Sequence, residues 1–239
     1  MEKKYKNKIR NFAFIFARGG SKEIKNKNIK LINNKPLIYY SIKIAKSIKM
    51  IDDVYVSSDN DKILNLSKKY GAKIIKRPSS LSKDNSSEIN AWKHAIKYLR
   101  EKNIYFDVFI SLPATSPLRN KSDIVKSIKN LNKKTDFVIT IYKSNKIPWF
   151  NMVVKDSNGY VNLLRKPKSK IFNRQTAPVV FNMTTVAYVS KPETILKTKN
   201  IFDKKVKSIE IPIERALDID SEFDLKIAKL LLKTKGNIC

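Results

Sequence analysis

Cysteine is almost missing from this 239-residue chain: the only one, Cys239, is the last residue. That excludes an internal disulfide framework and any zinc site built on thiolates, and it suits a reducing compartment, the cytoplasm. Histidine is equally scarce. The only one, His94, falls at helical spacing with Ala91 and Tyr98 and reads as a packing or surface residue, so no histidine-dependent triad is available elsewhere. No segment approaches the ~18 to 20 uninterrupted apolar residues of a membrane span. The start, MEKKYKNKIRNFAFIFA, sets basic residues before an apolar run, but that run stops at Ala17 and meets Arg18, Gly19 and Gly20 at once. It reads as a first strand and not as a signal peptide. Repeats, low-complexity tracts and linkers are also lacking. The whole of residues 1–239 therefore reads as a single domain with a core that needs no staples.

Acidic residues are few: 21 against 50 basic ones, for a formal charge of +29. Such a balance raises the possibility of nucleic-acid binding through counterion release. Only eight of the basic residues are arginine, the residue that direct base readout favours, and the lysines are spread along the whole chain. The excess reads instead as a compositional bias, one that still attracts polyanions such as nucleotides.

What is present alternates. Asn11–Ala17 is short, aromatic and β-branched, and is bounded by Gly-Gly, as a buried strand is. Pro36 opens a helical pattern over Leu37–Met50. A strand at Val54–Val56, a helix at Lys62–Tyr70 closed by Gly71, and a strand at Ala72–Ile75 follow. The spacing then predicts a helix over Ser87–Leu99, a strand over Phe106–Leu112, a helix over Asp123–Leu131 and a strand over Asp136–Tyr142. This order predicts a Rossmann-like three-layer α/β/α fold with a mostly parallel sheet. The alternation breaks between about 143 and 181, where a turn at Asp156–Gly159 separates MVV from YVNLL and predicts a hairpin insertion. Strands at Thr184–Val189 and Lys205–Ile213 and a helix at Ser221–Leu232, with Ser221 as its N-cap and Asp224 at the third position, complete the pattern.

Chemistry gathers at two places. The loop Arg18-Gly19-Gly20-Ser21-Lys22, continuing to Lys27 and Asn28, follows the first strand, where open α/β sheets bind ligands. Two glycines admit an anion close to the backbone, Ser21 adds a hydroxyl, and Arg18, Lys22 and Lys27 bring charge. It is neither a Walker loop nor G-x-G-x-x-G; from the residues alone it is a triphosphate cradle or a solvated basic turn. Asp218-Ile219-Asp220 is the second place. In an extended segment the two carboxylates share a face and can meet one hard cation while Ile219 turns into the core. The alternative is an acidic flank to the dipole of the helix opening at Ser221. Trp92, Trp149 and the Tyr39–Tyr40 pair read as core or interface residues.

The strings ARGGSK, KNKNI and NKPLIYYSI, followed in order by VYVSSDNDKI, AKIIKRPSSLSKD, LPATSPLRNKSDI, NRQTAP and ERALDIDSEFDLKIAKLL, span nearly the whole chain. Together they resemble the cytidylyltransferases of acylneuraminate and related acids. The resemblance implies transfer of CMP from CTP to an acidic keto-sugar, sialic, legionaminic or a related nonulosonic acid, with Mg²⁺ and release of pyrophosphate. It implies that Arg18, Gly19, Gly20, Ser21, Lys22, Lys27 and Asn28 hold the nucleotide. Arg77 would lie near it, and Ser86 or Ser87 would contact the base; from the residues alone Arg77 is also compatible with a capping or surface role. Thr115 and Ser116 of the TSPLR loop, with Arg174 and Gln175, would face the acceptor, and Asp218 and Asp220 would bind metal. Arg18, Lys22, Asp218 and Asp220 would carry the catalysis. It also implies a homodimer built on the 143–181 insertion.

The chain departs from the family pattern at Glu23 and Lys25, at Pro113-Ala114, and at Asn182 and Thr184, which stand where an arginine and the asparagine of an Asn-Gly pair are usual. The acceptor side has changed more than the nucleotide side. Rival expectations are a CMP-Kdo-type synthetase, a regulatory domain that keeps the nucleotide pocket without turnover, and a basic nucleic-acid-binding protein.

Overall fold

A computed structural model of the chain describes residues 8–21, 23–83, 86–166 and 177–234. The first strand, β1 (Asn11–Phe16), leads through a basic loop to a two-residue hairpin, β2 (Leu31–Ile32) and β3 (Lys35–Pro36), and then to helix α1 (Leu37–Lys46). Next come β4 (Asp53–Ser58), α2 (Asp61–Lys69), β5 (Lys73–Lys76), α3 (Glu88–Glu101), β6 (Val108–Ser111), α4 (Lys121–Asn130) and β7 (Phe137–Lys143). A hairpin of β8 (Val153–Lys155) and β9 (Val161–Leu163) precedes the long β10 (Phe181–Ser190). The short α5 (Pro192–Lys197), β11 (Val206–Glu210) and α6 (Glu222–Thr234) end the described fold.

Seven strands form one sheet in the order β11-β7-β10-β6-β1-β4-β5. All neighbours are parallel except β10, which runs antiparallel to both β6 and β7. The sequence explains the exception. A parallel return needs a crossover, usually a helix, and the chain between β7 and β10 offers a hairpin instead.

The period-two alternation of β1 sorts its side chains to two cores. Ala13 and Ile15 face an aliphatic layer with Ile38 and Ile42 of α1 and Ile124 of α4. Phe12 and Phe14 face an aromatic layer with Tyr55, Phe109 and Trp92 of α3, in which the Phe14 and Phe109 rings stack at 4.6 Å. Phe12, Phe14, Phe109 and Phe137 are completely buried, each worth about 1.5–3 kcal/mol of transfer energy. A third cluster packs Leu225 and Ala228 of α6 against Ile24, Leu37 and Ile219.

Several boundaries differ from the expected ones for local reasons. Helix α1 stops at Lys46, short of Met50, because tight turns from Ile48 to Ala45 and from Ile51 to Ile48 bring the Asp52 amide onto Asn11. Strand β11 ends before Pro212, which has no amide to continue a ladder. The α5 helix, headed by Pro192, was not anticipated. The expected turn between β8 and β9 is present: Asp156 Oδ1 accepts from the amides of Asn158 and Tyr160, both at 2.9 Å, and Gly159 takes φ +93°.

Asp123 ties the far end of the chain to this scaffold. Its carboxylate closes a capping box with Asn120 at the head of α4 and accepts Arg215 Nε at 2.9 Å and Nη2 at 2.8 Å. The Asp123→Ala substitution should cost about 3 kcal/mol, since it removes a cap and one partner of a nearly buried ion pair. A urea midpoint giving a loss below ~1 kcal/mol would show that Arg215 anchors nothing.

Candidate active site

The carboxyl ends of β1, β4, β5 and β6 open on one edge of the sheet, and β1 and β6 flank the point where the strand order reverses. Loops from these ends enclose a cleft of about 650 Å³, the size of an ordinary small-molecule site.

The loop after β1 forms one wall and is folded by its own side chains. The Gly19 amide donates to Asp59 Oδ1 at 3.0 Å, and Asn28, buried, donates to the Arg18 carbonyl at 3.0 Å. Ile24 is inserted into the α6 cluster. Lys27 Nζ reaches across to the Ile219 carbonyl at 2.8 Å and to Asp220 Oδ1 at 3.0 Å. Gly19 is a glycine for a packing reason: a Cβ there would stand 2.8 Å from Nδ2 of Asn60, the N-cap of α2. A Cβ on Gly20 would meet nothing within 4 Å. Arg18, Ser21, Lys27 and Asn28 all line the cleft. Lys22 lies outside the described residues.

The opposite wall comes from the segment between β5 and α3. Arg77 is buried; its amide donates to the Ser58 carbonyl at 2.8 Å and its Nε to Ser82 Oγ at 3.1 Å. Burial pulls its pKa below the ordinary arginine value, and the charges of Asp59 and Glu88 oppose the shift. Arg77, Ser86 and Ser87 line the cleft, and Ser87 also caps α3 through the Ile89 amide. Glu88 faces the cleft beside them. It accepts from Trp92 Nε1 at 3.2 Å, and desolvation followed by the charge of Asp218 raises its pKa.

The floor is where β6 meets the approach to α6. The Ile219 amide donates to the Thr115 carbonyl at 2.9 Å, and the Ile219 side chain is completely buried. The residues on either side of it, Asp218 and Asp220, turn the other way, with Asp220 on the cleft and Asp218 half-buried behind. Desolvation raises the Asp218 pKa, and the charge of Asp220 adds to it; the Thr115 and Thr185 hydroxyls and Lys27 work in the other direction. Even so, among the described residues Asp218 Oδ1 is buried without a hydrogen-bond partner. The Ser221–Asp224 pair expected at the head of α6 is present, with the Ser221 amide donating to Asp224 Oδ2 at 2.7 Å and the Asp224 amide to Ser221 Oγ at 3.2 Å.

One acceptor-side expectation changes. Thr115 lines the cleft, but Ser116 is completely buried and spends its hydroxyl on Thr185 Oγ1 at 2.6 Å, so it does not present itself to a ligand. Thr184 is likewise internal, its hydroxyl 2.8 Å from that of Thr140. Arg174 and Gln175 fall outside the described residues. Sequence reasoning missed Asp59, Glu88 and Thr185. Asp59 was legible as the acid following a strand end; Glu88 adjoins Ser86 and Ser87; Thr185 depends on a strand irregularity that no local pattern signals.

An open, mostly parallel sheet with a basic, glycine-bearing loop at its reversal point defines a Rossmann-like nucleotidyltransferase fold. Residues 12–235 match the family described as cytidylyltransferase, and the chain belongs to that family, on its acylneuraminate-like branch. It is thus a nucleotidyltransferase enzyme. It is 34% identical over 228 residues to "Post-translational flagellin modification protein B" of Campylobacter coli, covering 93% of this chain and 94% of that protein. It is 32% identical over 227 residues to the CMP-N,N'-diacetyllegionaminic acid synthase of Campylobacter jejuni, covering 93% and 94%. Among solved structures, a CMP:2-keto-3-deoxy-manno-octonic acid synthetase complexed with CTP superposes with a TM-score of 0.71 over 95% of this chain and 99% of that one. At 14% identity that likeness shows the fold alone. Among the described residues no helix is long and apolar enough to cross a membrane.

The two loop glycines can be told apart. Gly19→Ala should lower stability by ~1 kcal/mol, because displacing Asn60 uncaps α2. Gly20→Ala should melt with the wild type and yet bind CTP more weakly. Equal melting of both variants would show that Asn60 moves without cost.

Proposed function

We propose that this enzyme transfers CMP from CTP to a nonulosonic acid of the sialic, legionaminic and pseudaminic class, releasing pyrophosphate. The observation that carries the reading is a single cleft that brings Arg18, Ser21 and Lys27 of the first loop together with Arg77, Ser86 and Ser87 of the opposite wall and with Asp220. The names of the relatives support the acceptor class, including a pseudaminic acid cytidylyltransferase of Campylobacter jejuni, 30% identical over 226 residues.

In this reading the triphosphate lies along Arg18 to Ser21 and Lys22, and Arg77, Ser86 and Ser87 take the cytosine end. Lys27, already committed to Asp220 and the Ile219 carbonyl, holds the loop against the floor. The anomeric hydroxyl of the acceptor attacks the α-phosphorus, and the bond to the bridging oxygen of pyrophosphate breaks. Arg18 and Lys22 stabilise the charge that collects on the leaving group. Thr115 faces the acceptor, with Arg174 and Gln175 contributing from the insertion.

Asp218 and Asp220 supply hard oxygen donors, and Asp218 Oδ1, buried with no hydrogen-bond partner among the described residues, suits a divalent cation of the Mg²⁺ kind, which keeps several waters and needs only one or two carboxylates. Among the described residues no group of three acidic, histidine or cysteine side chains is placed to hold a metal, so the phosphates would complete the coordination. Bound Mg²⁺ would neutralise phosphate charge and polarise the α-phosphate.

Supporting a homodimer, the hairpin presents Val153, Val154, Val161 and Leu163 to solvent, and Phe181 and Met183 extend the apolar surface onto β10. A lone two-stranded hairpin is marginal in water and an apolar patch of this kind marks an interface. In light scattering the wild type should be a dimer, and Val153→Glu combined with Val161→Glu a folded monomer. A monomeric wild type would remove this assignment.

The reaction is tested by pyrophosphate release with each of the four NTPs against neuraminic, legionaminic, pseudaminic and Kdo-type acids. CTP with a nonulosonic acid should be the productive pair, and turnover confined to Kdo would overturn the acceptor class. Asp218→Ala should lose on the order of 10²-fold or more in rate.

A further inference from the structure

Among the carboxylates that line the cleft, Asp220 is tied to Lys27 at 3.0 Å and Glu23 belongs to the first loop. Glu88 stands on the opposite wall, at the first position of α3 behind its cap, Ser87. An acid in that position complements the helix dipole, but this side chain is turned elsewhere. Its Oε1 accepts Trp92 Nε1 at 3.2 Å, one turn along the helix. Trp92 is 2% exposed, and its ring packs on Phe109 at 5.4 Å and on Tyr188 at 5.6 Å. The carboxylate is therefore held by a partner that the core immobilises. Among the described residues its Oε2 accepts no hydrogen bond, and Arg77 acts on it through charge without an ion-pair contact.

An unpaired carboxylate in a cleft for a polyanion repels phosphate. It suits a part of the nucleotide that offers hydrogens, and the wall around it suits the base. Phe16, Leu81 and Ala91 give the cleft apolar lining, with Phe16 in the same aromatic layer as Trp92. Arg77, whose Nε is engaged with Ser82, keeps its terminal nitrogens as donors, and Ser86 Oγ has no hydrogen-bond partner among the described residues. The wall thus sets one strong acceptor and two donors beside apolar surface. Cytosine presents the complement, an amino group at C4 and acceptors at N3 and O2, whereas uracil carries a carbonyl oxygen at C4.

We infer that Glu88 is a specificity-determining residue for the nucleotide base: its carboxylate, steadied by Trp92 Nε1, accepts a hydrogen bond from the 4-amino group of cytosine and turns away the 4-carbonyl of uracil. The inference rests on the CTP reading proposed above and deepens it to the group that reads the base. With UTP two oxygen acceptors meet and no hydrogen lies between them, and a site built to bond a donor rejects the analogue that lacks it. The Trp92 N–H and the charge of Arg77 favour the ionised carboxylate, the form that accepts, against desolvation and the charge of Asp218. One hydrogen bond to a charged group is worth about 10–100-fold in affinity.

The test is calorimetric titration of the full-length protein with CTP and with UTP in the presence of Mg²⁺ and without an acceptor sugar. The wild type should favour CTP by about tenfold or more. Glu88→Gln keeps an oxygen for Trp92 and gains an amide that can donate to the uracil carbonyl, so the ratio of CTP to UTP affinity should fall about tenfold. Removing a negative charge from the cleft strengthens every nucleotide alike, and for that reason the ratio, not either affinity, is the readout. Should the glutamine variant fold poorly, Glu88→Asp, which keeps the charge and withdraws it by one methylene, should also lower the ratio. If the wild type favours CTP and the folded variants keep that preference unchanged, the role of Glu88 is wrong and the CTP reading stands. If the wild type binds UTP as tightly as CTP, the CTP reading is wrong and the role of Glu88 is overturned with it.

Discussion

One hydrogen bond and one buried side chain hold the site together: the Ile219 amide on the Thr115 carbonyl, and the Ile219 side chain in the core beneath α6. The two contacts bring a segment more than a hundred residues downstream onto the end of β6. Because Ile219 faces inward, its neighbours turn away from the core, with Asp220 on the cleft and Asp218 half-buried behind it. Lys27 then finds both the Ile219 carbonyl and Asp220, which fixes the basic loop relative to the acidic pair. If Ile219 were loosened, floor and wall would separate.

Scarcity governs how acidic residues are used in this chain. With 21 of them among 50 basic residues, exposed ion pairs such as Lys8–Asp52 and Lys30–Glu222 contribute little, as surface pairs do. The informative carboxylates accept backbone amides where the chain changes direction. Asp107 takes the Arg10 amide at 2.8 Å, Asp52 the Asn11 amide at 2.9 Å, Asp136 the Lys205 amide at 3.0 Å and Asp59 the Gly19 amide. Each secures the start of a strand or the turn of a loop. Against that background, carboxylates that line a cleft suited to polyanions stand out: Glu23, Glu88 and Asp220 do so, with Asp218 half-buried behind.

Most of the fold was legible because α/β sequences state their periods openly: NFAFIF could only be a buried strand, and the helices carry their caps in the sequence at Asn60, Ser87 and Asn120. The direction of β10 was legible too, had the missing crossover helix been given its weight. The nucleotide wall was readable because phosphate binding uses consecutive residues in one loop. The floor was readable only in part. Asp218 and Asp220 announce themselves by spacing, but the inward turn of Ser116 and the outward turn of Thr185 follow from a register shift set by Thr140 and Thr184, forty-four residues apart. Nothing local to either threonine encodes that pairing.

Strand β10 spans ten residues, and its two ends answer to different neighbours. Phe181 and Met183, at the hairpin end, belong to the exposed apolar surface, while Thr185, two residues further on, holds Ser116 Oγ at 2.6 Å and accepts Arg119 Nη2 at 3.1 Å on its carbonyl. The interval between them is less than 15 Å of extended backbone, braced by hydroxyls. An exposed apolar face and the contacts that fix the loop after β6 are thereby placed on a single short rod, so a sequence change that retunes one is constrained by the other.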